Sequence, residues 1–200
     1  GGRGRAGAGA GDAGGSAPLT APASTGPEGG AGMPRPRTAR PEFEETAALV
    51  ADPELRALVD DLASSERIES AAIGAAVAPS EVWKKYEAVA ARATPADAVA
   101  LLRHRSPVVR GYMAQDVADH RPDDLPSVYP LLADDTEVET VSGCMIARET
   151  VAEVVVQALC NRAAAEPTAA SVLLRAAADP GLGPLRGRAL GCVAALEPSK

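Results

Sequence analysis

PVVRGYMAQDVA (107–118), MIARETVAEVVV (145–156) and GPLRGRALGCVA (183–194) align without gaps on one template, and the reading of these three stretches decides the fold. Each has an apolar or small residue before an arginine, then Met, Val or Ala three positions on and Val seven positions on. The arginines Arg110, Arg148 and Arg186 are each 38 residues apart, and the valines are Val117, Val155 and Val193. Ahead of them stand the Leu-Leu pairs Leu101-Leu102, Leu131-Leu132 and Leu173-Leu174. A unit near 38 residues is the period of a stacked helical repeat. The spacing from Leu-Leu to Arg varies, and is longest in the middle unit, where TEVETVSGCMIA intervenes.

Around these segments the punctuation reads as helical. Asp52-Pro53, Thr94-Pro95, Ser106-Pro107 and Asp179-Pro180 place a capping residue before a proline, and Ser80 caps a further start. Leu55, Leu58, Val59 and Leu62 line one helical face, and Val82, Tyr86 and Val89 another with Trp83 beside them. Leu125, Val128 and Leu132 predict a helix that Pro130 keeps short and kinked. Val151, Val155, Ala158 and Leu159 form a further face, and Leu185, Ala189, Cys192, Val193 and Leu196 the last. No Asn-Gly hairpin or period-two run competes in this reading, so the body is expected to be all-α.

The stretch SPVVRGYMAQDVA resembles the second helix of a HEAT repeat, with its Ser-Pro start, Val-Arg and helically spaced small and aliphatic residues. The resemblance covers roughly residues 94–196. Together with APSEVWKKYEAVAARAT and the Ser-Gly-Cys at 142–144, the chain is similar to bacterial HEAT-like proteins of unassigned function. The resemblance implies a short α-solenoid of helix pairs, capped by helices at 52–63 and 80–92, with one concave face. The Gly143-centred insertion departs from the pattern, and is expected to break the helix or form a protruding loop. Arg110, Arg148 and Arg186 are expected at the helix starts on the groove side, bonding to the adjacent repeat.

Composition agrees with small-residue packing. The chain has 200 residues and 46% hydrophobic but only 2% aromatic side chains, so its core must be Ala, Val and Leu. Residues 1–41 hold two large apolar side chains, Leu19 and Met33, and are rich in Gly and Pro. Such a segment cannot offset its ordering entropy, and a disordered leader or tether is expected there. The folded domain is expected over 42–200. The leader carries five arginines against two acids, whereas 42–200 has 15 basic and 25 acidic residues. A body this acidic repels phosphate, which disfavours nucleic acid as its partner.

Catalytic templates find no support. No phosphate loop or EF-hand is present, and Gly181-Leu182-Gly183 follows no strand. Cys144 with His104 or His120 lacks an orienting motif, and Asp116 with His120 lacks a third metal ligand. Cys144, Cys160 and Cys192 read as small buried residues, with one unassigned disulfide open if the protein is exported. No cofactor, metal or catalytic residue is expected. The sequence therefore points to a non-catalytic protein-binding or scaffold module. A HEAT-scaffold enzyme of lyase or glycosylase type and a structural spacer are the alternatives. Trp83, Tyr86, Arg110, Tyr112, Arg148 and Arg186 are the candidate interaction residues. No apolar run reaches the ~18 residues of a membrane helix. Localisation stays open between the cytoplasm and tethering to the cell envelope through a removed N-terminal signal or anchor.

Overall fold

The computed structural model describes residues 42–74 and 77–196, all within the unit Arg35–Lys200. The leader expectation falls on residues outside these. Helices α1 (Thr46–Leu49) and α2 (Pro53–Ala63) come first, then strands β1 (Arg67–Ile73) and β2 (Ala78–Pro79). Helices α3 (Glu81–Arg92), α4 (Pro95–Leu101) and α5 (Pro107–His120) follow, and then a 3-10 helix over Pro122–Ala133. Strands β3 (Glu137–Gly143) and β4 (Met145–Thr150) lead into α6 (Val151–Arg162) and α7 (Pro167–Ala178), and α8 (Pro184–Ala194) closes the chain.

The all-α solenoid expectation is corrected here. The four strands form one mixed sheet of order β2-β1-β3-β4, so the architecture is α/β. β1 pairs parallel with β3, and each hairpin pairs antiparallel. The physical reason lies in two segments. Glu137-Val138-Glu139-Thr140 alternates acidic with β-branched residues, and Val141 adds a third β-branched side chain, a composition that favours strand over helix. Gly143, at φ 57°, and Cys144 then make a two-residue turn with glycine at the left-handed position. The segment 145–156 is therefore a strand up to Thr150 and a helix only after it. A capping box begins that helix, with Thr150 Oγ1 accepting from the Glu153 N–H and the Glu153 carboxylate accepting from the Thr150 N–H. Pro126 and Pro130 fall inside the 122–133 segment, which winds as 3-10 helix.

The 38-residue equivalence fails, but a different internal repeat takes its place. Leu55, Leu58, Leu62, Ile68, Glu69, Ser80, Val89 and Arg92 each recur 70 residues later, as Leu125, Val128, Leu132, Val138, Glu139, Thr150, Leu159 and Arg162. Both units run helix, hairpin, helix. Stacking two like units side by side sets β1 and β3 parallel. The helices pack in successive pairs, α2 on α3, α4 on α5, the 3-10 helix on α6, and α7 on α8. α5 and α6 join the two halves.

α5 is the floor on which the sheet sits. Ten of its 14 residues are buried, so it lacks an amphipathic stripe. Gly111 faces β1, and a Cβ there would run into Cδ1 of Ile68, so glycine admits the strand. Tyr112 fixes it: its hydroxyl donates to the Glu69 carbonyl (2.8 Å) and accepts from the Glu69 N–H (2.7 Å).

Candidate functional site

Of the six residues singled out in the sequence, three meet. Trp83 and Tyr86 stand edge to face with centroids 4.9 Å apart, and Tyr86 stacks on Tyr112 at 4.8 Å. Tyr86 and Tyr112 are buried, so the cluster is a packing element between α3, α5 and β1. Burial, helped by Asp116, pushes the Tyr86 phenol well above its ordinary range, and burial pushes Tyr112 to about 12. Both stay neutral donors.

The three arginines do not share a role. Arg110 is fully buried, with Nε on the Asp134 carboxylate (2.8 Å) and Nη1 on the carbonyls of His104 (2.7 Å) and Arg105 (2.8 Å). Its guanidinium also lies 3.6 Å from the centroid of the Phe43 ring. It thus ties the start of α5 to the segment between the 3-10 helix and β3. Arg186 makes a weaker version of the contact, Nε to the Ala177 carbonyl at 2.8 Å, from an exposed position. Arg148 is exposed on β4, three residues before α6 begins, and so lies in a strand and not at the helix start expected for it.

A buried relay near Arg110 has the look of chemistry but the wrong polarity. His104 Nδ1 accepts from the Ser106 N–H (3.0 Å), which puts the ring proton on Nε2. Nε2 then donates to Thr46 Oγ1 (2.9 Å), which donates to Asp60 (2.5 Å). The imidazole gives a proton to the hydroxyl instead of accepting one, so it cannot activate Thr46 as a nucleophile. Burial lowers the His104 pKa below its usual value, and both residues are sealed from solvent. Asp116 accepts from Arg121 Nε (2.7 Å) and contacts His120 Nδ1 (3.2 Å) as a helix-end pair. Among the described residues, no group of three or more His, Cys, Asp or Glu is placed to hold a metal ion.

The cysteines depart from the expectation of three buried residues. Cys160 and Cys192 form a disulfide between α6 and α8 with a Cα–Cα distance of 5.5 Å, and Cys144 is an exposed thiol at the β3–β4 turn.

The feature that sequence reasoning missed is the outer part of the sheet. Val77, Met145 and Ile146 are 70%, 70% and 65% exposed. Val77 also holds φ 53°, a conformation that a β-branched residue rarely adopts. The two hairpin turns touch, the Gly74 N–H donating to the Gly143 carbonyl (2.7 Å). Residues 70–79 and 140–147 contain no charged side chain. Turns facing only water are usually polar, so an uncharged, exposed pair is a mark of contact with something else.

The sheet's two edges differ. β2 is two residues long and contains Pro79, which blunts it as a template. β4 has six residues, no proline and no lysine. The Val151 N–H donates to the Thr136 carbonyl (3.0 Å), which sets the period: Met145, Ala147 and Glu149 turn their backbone to β3. Ile146 and Arg148 therefore aim their N–H and C=O groups outward. The alternation at 137–140 and the 70-residue recurrence are the signals from which the strands themselves could be read.

Two of the surface grooves flank these elements. One of 720 Å³ has an apolar floor of Leu132, Leu182 and Leu185, with the Glu153–Arg188 ion pair (3.2 Å) at its rim. Another of 300 Å³ runs beneath the sheet, between Trp83, Gln115, Thr140 and Gln157. Among the described residues, no helix is long and apolar enough to cross a membrane. No family model matches the chain, nor does any curated protein or solved structure.

Proposed function

We propose that this chain is a non-catalytic interaction module that recruits protein by adding an extended segment to the β4 edge. One observation carries the reading: β4 offers outward backbone groups at Ile146 and Arg148 beside exposed apolar Met145 and Ile146. Main-chain bonds supply affinity in strand addition, and alternating side chains supply specificity. The net acidity of residues 42–200 favours protein over nucleic acid as the partner. The Gly- and Pro-rich residues 1–41 act as the tether that lets the domain reach its partner. The Cys160–Cys192 disulfide supports work in an oxidising compartment.

The test is a photo-crosslinking amino acid at Ala147, introduced into the full chain in its native cells. Adducts heavier than the chain should form, and Ile146→Lys should remove them while leaving the melting temperature unchanged. Adducts that never form, or that ignore Ile146→Lys, overturn the proposal.

A further inference from the structure

We infer that the β4 edge pairs with β4 of a second copy of this chain, antiparallel about a two-fold axis at Ile146. The inference rests on the strand-addition reading above and names the occupant.

Symmetry and backbone direction leave few registers. A two-fold antiparallel pair must bring outward-facing residues together, and in β4 those are Ile146 and Arg148. An axis at Arg148 sets two guanidiniums opposite each other, and like charges directly across a ladder are destabilising. It would also lay Met145 of one copy against Val151 of the other, where α6 has already begun. An axis at Ala147 puts Met145 against Glu149, an apolar side chain against a carboxylate. It again runs into α6, with Gly143 against Val151.

The axis at Ile146 avoids both faults. Ile146 meets Ile146 of the second copy, Met145 meets Ala147, and Cys144 meets Arg148. Gly143 of the incoming turn stops against Glu149, two residues short of α6, so the paired segment stays within the strand. Aliphatic side chains meet aliphatic ones, and the outer hydrogen bonds of the edge are made. The sheet becomes eight strands, closed at its outer edges by the short, proline-bearing β2 of each copy.

Charge argues for the same occupant. β4 carries Arg148 and Glu149, and in this register Arg148 of each copy stands across from uncharged Cys144 and Glu149 across from Gly143, so no like charges face each other across the ladder. An incoming segment of other sequence that set a cation opposite Arg148 or a carboxylate opposite Glu149 would be repelled.

The register can be trapped. In the full-length chain carrying Arg148→Cys, the Cα of Cys144 in one copy should lie about 5.5 Å from the Cα of position 148 in the other, within disulfide reach. Along a single strand the two positions are about 13 Å apart, so no bridge can form within one copy. Mild oxidation should give a covalent dimer whose peptide map links position 144 to position 148. By sedimentation the unsubstituted chain should be a dimer, with Ile146→Lys weakening association by at least about 100-fold. A chain that stays monomeric at every concentration overturns the inference. So does a dimer whose thiols link 144 to 144 or 148 to 148. If the chain is monomeric while Ala147 adducts to other proteins persist and respond to Ile146→Lys, the second copy is wrong and the strand-addition reading stands. Loss of both removes both.

Discussion

The units beginning at Leu55 and Leu125 share one plan but finish their hairpins in opposite ways. In the first, β2 is cut to two residues and carries Pro79, so the edge is blunt. In the second, a glycine turn returns the chain into six residues of open strand. The opening helix differs too, regular in α2 and 3-10 where Pro126 and Pro130 interrupt it. The later helix carries Ala90 in the first unit and the bridged Cys160 in the second. A duplicated scaffold thus supplies the sheet from both halves, and only the second half leaves it unfinished. The same helix-and-hairpin plan can be closed or open, and the difference lies in a few residues along one strand.

The arginine-glycine step opening α5 and α8 gives the sharpest way to break this comparison. Arg110→Ala leaves the buried Asp134 carboxylate without its guanidinium, and should cost about 3–5 kcal/mol. Arg186→Ala, at an exposed site, should cost less than about 1 kcal/mol. Urea unfolding of both variants measures this, and equal losses would make the two arginines equivalent after all.

The disulfide belongs to the second half alone. Cys192→Ser should lower stability by about 2–4 kcal/mol under oxidising conditions. It should change nothing when the parent chain is measured in reductant. Protease susceptibility of α8 should rise with either treatment.

The adjacent glycines make a smaller, signed test. Gly111→Ala drives a methyl into Ile68 beneath the sheet and should destabilise by about 1–3 kcal/mol. Gly187→Ala meets nothing within 4 Å and should stabilise α8 by up to about 1 kcal/mol. Thermal melts that move in the same direction for both would end the contrast.

The smallest effect is on pH. Burial lowers the His104 pKa in the folded chain below the unfolded value of about 6.5. Its contribution is therefore present above that value, and is lost as pH falls from there through the folded pKa. Between about pH 7.5 and 5.5 the chain should lose stability at up to about 1.4 kcal/mol per pH unit from this group. A His104→Gln variant should lose less over the same range, and parallel profiles would remove His104 from the account.

Much of the helical part was legible because its signals are local. Asp52, Ser80, Thr94 and Asp179 each accept a backbone N–H at the start of a helix or 3-10 turn, and Pro53, Pro95, Pro107 and Pro180 stand at first turns. Trp83 and Tyr86 pack beside Val82 and Val89, as their spacing suggested. The strands were obscured by the gapless match of MIARETVAEVVV to two genuine helix starts. That match hid a switch from strand to helix at Thr150, which the Thr150–Glu153 capping pair marks in hindsight. β1 reads weakly because RIESAAI is rich in alanine, and β2 is too short to show any period. Half of the recurring pairs named above keep residue type without identity, as Ile68 with Val138 and Ser80 with Thr150, so the repeat is faint in the sequence. The edge itself could not be read from one sequence, because which strand ends a sheet depends on pairings between residues far apart in the chain.

Amide exchange along β4 tests the central claim most directly. In dilute solution the Met145, Ala147 and Glu149 amides should be protected by β3, whereas those of Ile146 and Arg148 should exchange freely. Concentrating the chain should slow Ile146 and Arg148 selectively. Continuous protection from 145 through 156 at all concentrations, the signature of a helix, would contradict both the sheet and the role given to its edge.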